Sequence, residues 1–162
     1  MSDTREFAYN QGVAPMMWVI FVLSLIELVV VHLFVALRWP VIGWTLTIIS
    51  TIGAVWILFW IRSFRTRPHR LLDERLELNF GSLKRLELPL ANIAQVKRGW
   101  EQGALQKKGI INLAGIAYPN RCIELSEPME RGKSRIFVRL DDPADFDAAL
   151  TERGVSFAED QR

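Results

Sequence analysis

The sequence predicts an α+β membrane protein: a transmembrane α-helical hairpin followed by a small antiparallel β domain with a C-terminal capping helix. Three observations carry this. Charged residues are nearly absent between Ala14 and Ile61 and dense from Arg62 onward, so a mean hydropathy of +0.14 averages a lipid-soluble stretch with a water-soluble one. Two apolar runs stand three residues apart. Beyond residue 70 the hydrophobic period changes from helical to two, and it returns to helical only near the end of the chain.

From Met16 to Leu37 only Ser24, Glu27 and His32 interrupt an apolar run. It exceeds the roughly 20 residues that cross about 30 Å of hydrocarbon. Val41 to Ile61 is a second, uncharged run whose polar groups are Thr and Ser hydroxyls that can bond back to the backbone. Arg38-Trp39-Pro40 between them allows only a tight reversal, and Pro40 suits the first turn of the second helix, where a backbone N–H has no partner. Asp3, Arg5 and Glu6 do not make the basic n-region of a signal peptide, so the first run is expected to remain as an anchor. Arg62, Arg65, Arg67 and Arg70 crowd beyond the second run against a lone Arg38 in the turn, which places both termini in the cytoplasm. The expected organisation is an N-terminal segment 1–13, a hairpin 14–62 with spans 16–37 and 41–61, a basic juxtamembrane linker 63–70, a soluble domain 71–155 and a flexible tail 156–162.

Glu27 falls near the middle of the first span, where an ionised carboxylate costs about 3 kcal/mol or more. It must be neutralised, paired or wetted. Folding the chain back at Trp39 sets it level with Ser50 and Thr51, in a small, hydroxylated stripe that includes Gly43, Thr47 and Ala54. One reading has Glu27 bonded to Ser24 or to that stripe; the other makes it a proton or ion relay. His32 lies about 140° around the helix from Glu27, so the two form no dyad. An intramembrane imidazole can ligate a metal or haem. With no second His or Met placed to help, no cofactor is expected.

In the soluble part Leu76, Leu78 and Phe80 alternate with Arg75, Glu77 and Asn79. Gly81-Ser82 then turns the chain into Leu86 and Leu88, giving a hairpin with one wet face. Ile93–Val96, Cys122–Leu125 and Arg135–Leu140 read as further strands of a sheet expected to be antiparallel throughout. Asp142 as N-cap, Pro143 at the first position, and Phe146, Ala149 and Leu150 on one face predict a closing helix that Gly154 stops.

The stretch Asp73-Glu74-Arg75-Leu76-Glu77-Leu78 to Gly81, then Leu86 to Pro89-Leu90 and Asn92-Ile93-Ala94-Gln95-Val96, resembles the opening of bacterial pleckstrin-homology-like domains. Arg139-Leu140-Asp141-Asp142-Pro143 into Phe146 is similar to their last strand and capping helix. Residues 99–121 match nothing in that pattern. The resemblance implies a PH-like fold, a bacterial inner-membrane location, and a binding role in envelope stress or in assembly of a membrane complex.

No catalytic constellation is legible. His69, the one histidine outside the spans, sits beside Pro68 with no nucleophile signalled nearby. Asp141 and Asp142 suit helix capping, Glu124 and Glu127 suit solvated faces, and the glycines lack a phosphate-cradling spacing. The single cysteine, Cys122, excludes an internal disulfide, and a net charge of +2 argues against nucleic acid. The partners expected are membrane lipids and other membrane proteins or a second copy. Arg62, Arg65, Arg67 and Arg70 suit anionic headgroups. Lys107 and Lys108, beside Gly109-Ile110-Ile111, suit either a lipid-inserting tip or the start of another strand.

Overall fold

Two helices, α1 (Asn10–Arg38) and α2 (Pro40–Thr66), carry the apolar runs, and Trp39 alone joins them. The computed structural model describes residues 4–129 and 132–158; residues 1–3 and 159–162 of the expected terminal segments lie outside the described residues. Both helices are long and apolar enough to cross a membrane. Their large apolar side chains, Phe34, Leu37, Val41 and Phe59 among them, turn outward instead of into a core. At 1.5 Å per residue α1 reaches about 44 Å, longer than a hydrocarbon layer, because it starts six residues before the apolar run does. The two helices pack through small and polar groups. A Cβ on Gly43 would stand 2.4 Å from the Ala36 Cα, and His32 Nδ1 lies 2.6 Å from Thr47 Oγ1.

The soluble part contains two sheets. In the first, β1 (Arg5–Phe7), β2 (His69–Leu71), β3 (Arg75–Phe80) and β4 (Lys84–Pro89) lie in sequence order, all antiparallel. The second contains β5 (Ile93–Lys97), β6 (Ile110–Asn112), β7 (Arg121–Met129), β8 (Lys133–Val138) and β9 (Phe157–Ala158), in the order β6-β8-β7-β5-β9. The expectation of a wholly antiparallel sheet is corrected here, since β6 runs parallel to β8 and β9 parallel to β5. Each of these two strands is only two or three residues long and lines an edge reached by a loop, so alternation in the sequence carries no trace of its direction.

Three expected boundaries move. The basic linker 63–70 is the last turn of α2 followed by β2. The N-terminal segment supplies β1, whose Phe7 is buried in the soluble core edge-on to Phe146, with ring centroids 5.1 Å apart. Phe157 and Ala158, expected in a flexible tail, form β9. The wet face of the β3–β4 hairpin is also partly covered. Because β3 has a neighbour on each side, Glu77 and Asn79 are buried, Glu77 against Arg85 at 2.7 Å and Asn79 through its amide to the Pro68 carbonyl at 2.7 Å.

α3 (Pro143–Glu152) closes the core as its sequence grammar predicts. The Asp142 carboxylate accepts from the Ala144 and Asp145 N–H groups, and Phe146, Ala149 and Leu150 are buried. Asp147, also buried, fastens the helix to the second sheet. Arg121 Nε and Nη2 donate to its two oxygens at 2.7 Å each, and Arg98 Nε donates at 3.0 Å. Removing the carboxylate strands the nearly buried Arg121. Asp147→Ala is therefore expected to lower stability by about 3 kcal/mol. Glu152→Ala, which breaks only an exposed pair with Arg5, is expected to change it by no more than about 1 kcal/mol. Tryptophan-monitored unfolding in detergent checks both.

Candidate functional site

The residues that join the helices to the sheets are tied together by side-chain hydrogen bonds and stacked rings. Tyr9, immediately before α1, is fully buried; its ring stacks on His69 at 4.3 Å and meets Phe64 edge-on at 5.8 Å. The Tyr9 hydroxyl accepts the Gly81 N–H at 2.8 Å, and burial pushes its pKa up to about 12. One residue along, the Ser82 N–H donates to Ser63 Oγ of α2 at 3.0 Å. Gly81 is held at φ +52° with Trp60 and Ser63 where a Cβ would stand. Asp141 completes the joint: its carboxylate accepts the Gln11 N–H at 3.0 and 3.1 Å, and its own N–H donates to the Ala8 carbonyl. The doubled aspartate thus serves two helices, Asp142 capping α3 and Asp141 capping α1 from the far end of the chain.

His69 is the chemically unusual member. Its Nδ1 accepts the Asn79 N–H at 3.0 Å, so the ring is neutral with its proton on Nε2, and Nε2 is buried without a partner among the described residues. Burial pushes its pKa down to about 3. Enclosed and uncharged, it is not placed to serve as a base for a substrate in solution.

Glu27 does not meet the stripe expected to hold it. The register set by His32 with Thr47 and Ala36 with Gly43 puts it level with Ile52, but its side chain is exposed on the flank of the hairpin, with no hydrogen bond or ion pair among the described residues. Ser24 and Thr51 are satisfied within their own helices, by the Ile20 carbonyl at 2.9 Å and the Thr47 carbonyl at 2.7 Å, and Ser50 is exposed. His32 is held by Thr47 and by an edge-on contact with Trp44 at 5.1 Å, a packing role across the hairpin.

The expected lipid-contact residues divide. Arg62, Arg65 and Arg67 are exposed at the end of α2 without an ion pair among the described residues, whereas Arg70 pairs with Glu6 at 2.9 Å. Of the two readings of the stretch after Lys107 and Lys108, the structure has the strand: Ile110 and Ile111 belong to β6, with Ile111 buried, and Lys107 pairs with Glu101 at 2.9 Å. Lys108 is exposed. Lys107 instead borders a cleft of about 430 Å³ over the outer face of the second sheet. There Glu124 accepts from Gln95 at 2.6 Å, Lys97 at 3.0 Å and Arg135 at 3.2 Å. Burial acts to raise its pKa, but those hydrogen bonds and charges hold it below the usual carboxylate range. Cys122 lines the floor, its pKa pushed up to about 11 by burial and by Glu124. A thiol so protonated is a poor nucleophile. Each carboxylate of the cleft is paired, Glu101 with Lys107 and Glu124 with Lys97 and Arg135, which is what a satisfied structural network looks like.

Tyr9, Asp141 and His69 were not singled out as a group in the sequence. The one available signal was the alternation of Phe7 and Tyr9 with Glu6 and Ala8, a strand pattern just ahead of a helix. The joint makes stability pH-dependent. A histidine whose folded pKa lies below its unfolded value of 6.5 stabilises fully above pH 6.5, and that contribution is lost as pH falls toward 3, because the unfolded chain then binds the proton and the native state does not. The wild-type protein is expected to lose about 1.4 kcal/mol per pH unit across that window relative to His69→Asn, measured by denaturant unfolding at stepped pH. Parallel curves for the two proteins would mean that His69 titrates freely. No family model, no curated protein and no solved structure matches the chain.

Proposed function

We propose that this is a two-span integral membrane protein whose soluble part is a PH-like, non-catalytic binding module, acting as an accessory or assembly factor of a membrane protein complex. The observation that carries the reading is the position of Glu27. It is an ionisable group near the middle of an apolar helix, exposed on the flank of the hairpin and without a bond inside it. In hydrocarbon such a group needs a counterpart, and this hairpin does not supply one, so a third helix from another protein or from a second copy is the economical source. The outward apolar surface of α1 and α2 supports lipid as their surroundings, because in water it would form an exposed patch far larger than soluble proteins tolerate. The basic residues after α2 favour termini on the cytoplasmic side of an inner membrane.

Two sheets closed by a C-terminal helix support the PH-like reading of the soluble part. The enclosed His69 and the protonated Cys122 favour binding over catalysis. The second reading rests on the same Glu27, as the proton-carrying residue of an oligomeric transporter or proton-coupled subunit, since two helices alone enclose no pathway.

Purification from native membranes in mild detergent, with mass spectrometry of what co-isolates, separates the two. The accessory reading expects a stoichiometric partner that Glu27→Gln retains, because the amide still hydrogen-bonds, and that Glu27→Leu loses. A homo-oligomer without partners, whose cellular function fails with Glu27→Gln, is the result that favours the relay.

A further inference from the structure

Outside the helical hairpin of residues 10–66, three large apolar side chains are exposed among the described residues: Leu83 at 53%, Ile116 at 51% and Tyr118 at 67%. They come from two loops far apart in sequence, and both loops are packed against the same ends of the same two helices. Leu83 follows Gly81 and Ser82, which touch Trp60 and Ser63 of α2. Ile116 and Tyr118 flank Ala117, which packs on the cluster of Tyr9, Val13, Met17, Ile61 and Phe64, and Gly115 between the loops lies against the Phe80 ring. Trp60 and Ile61 are where the apolar run of α2 ends, and Met17 is where that of α1 begins. The three exposed side chains therefore neighbour the apolar boundary itself.

Their electrostatic surroundings point the same way. Lys84 and Lys133 have no ion pair among the described residues. Burial and the charge of Lys133 both hold the Lys84 pKa below its ordinary value, so the two cations lie near each other on this side of the domain. Arg62 and Arg65 are exposed on the adjoining turn of α2. Apolar tips with a tyrosine among them, beside cations that have no ion pair among the described residues, at the foot of two apolar helices, match the layered chemistry of an anionic leaflet: acyl chains, then interface, then phosphate.

We propose that the turn Gly81–Lys84 and the loop Leu113–Tyr118 are a second membrane contact, in which Leu83, Ile116 and Tyr118 enter the interfacial layer of the leaflet from which α1 and α2 emerge, with Lys84 and Lys133 against its anionic headgroups. The contact rests on the two-span reading. It holds the soluble domain down on the bilayer, leaving the opposite end of the β3–β4 hairpin, at Glu74, to face the aqueous side. The hydrogen bonds of Tyr9 and Ser63 fix the turn to the helix ends, and Ala117 packed on the Tyr9 cluster holds the loop there, so that orientation is a property of the fold.

The test uses the full chain reconstituted into vesicles of phosphatidylcholine, alone or mixed with phosphatidylglycerol. An environment-sensitive fluorophore is placed on one of Leu83→Cys, Ile116→Cys, Glu74→Cys or Val29→Cys; Cys122, buried, stays unlabelled. Lipids carrying a quencher on the acyl chain then report contact. The proposal expects quenching at 83 and 116 several-fold above that at 74, rising with phosphatidylglycerol, and a Lys84→Glu, Lys133→Glu variant that no longer responds to it. Labels at 83 and 116 as unquenched as 74, with 29 quenched, overturn the contact and leave the two spans standing. An unquenched label at 29 overturns the two-span reading itself. Quenching at 83 and 116 indifferent to phosphatidylglycerol and to the lysine variant overturns the assignment to anionic headgroups.

Discussion

The joint around Tyr9 and His69 is the constraint on which the remaining structure depends. A helical hairpin and a β domain require different solvents, and a chain that carries both ordinarily keeps them apart with a flexible connection. Here the connection is two residues long on one side, Arg67 and Pro68, and is a strand on the other. Tyr9 and His69 stack where the two chain segments enter the first sheet side by side, and Asp141 and Ser63 close the remaining backbone donors. Buried polar groups of this kind are costly when half satisfied and rigid when satisfied. Nearly all of these are satisfied, so the orientation of the domain relative to the helices is built in.

That rigidity changes how the rest of the surface is read. Residues that would be incidental on a tethered domain acquire a fixed height relative to the apolar runs, which is what makes the exposure of Leu83, Ile116 and Tyr118 meaningful. The same logic sorts the polar clusters. Asp147 with Arg121 and Arg98, and Glu124 with Lys97 and Arg135, find their partners within the fold and hold the second sheet to its helix and its cleft. Glu27 does not, and it lies on a surface where nothing within the hairpin can help it. Self-satisfied networks belong to the fold. A single acid in an apolar setting, without a bond inside the hairpin, is what the proposed partner contact rests on.

Much of the architecture was legible because it follows from period and punctuation. The apolar runs, the reversal at Trp39, the hairpin around Gly81 and the capped helix from Pro143 each depend on neighbours within a few residues, and each stands close to where the pattern put it. What was illegible depends on pairing across the chain. β1, β2 and β9 are two or three residues long, too short to show alternation, and exist because a partner strand offers hydrogen bonds. The face of Glu27 was misjudged for a related reason. Depth along a hairpin follows from counting, but rotation follows from which side chains interlock, and Gly43 against Ala36 with His32 against Thr47 chose a face that leaves Glu27 on the flank.

By itself, the sequence determined that the chain has two regions of opposite hydropathy, where the boundary between them falls, and that the second part is a strand-rich domain finished by one helix. Those follow from hydropathy and local propensity, which neighbouring residues settle among themselves. Only the tertiary structure decided that the N-terminal segment belongs to the β domain, that Lys107 is paired while Lys84 has no ion pair among the described residues, and that Ile116 and Tyr118 are exposed while Ile111 is buried in a strand. A side chain's burial and its ion pair depend on what long-range packing brings beside it, and no local pattern encodes that.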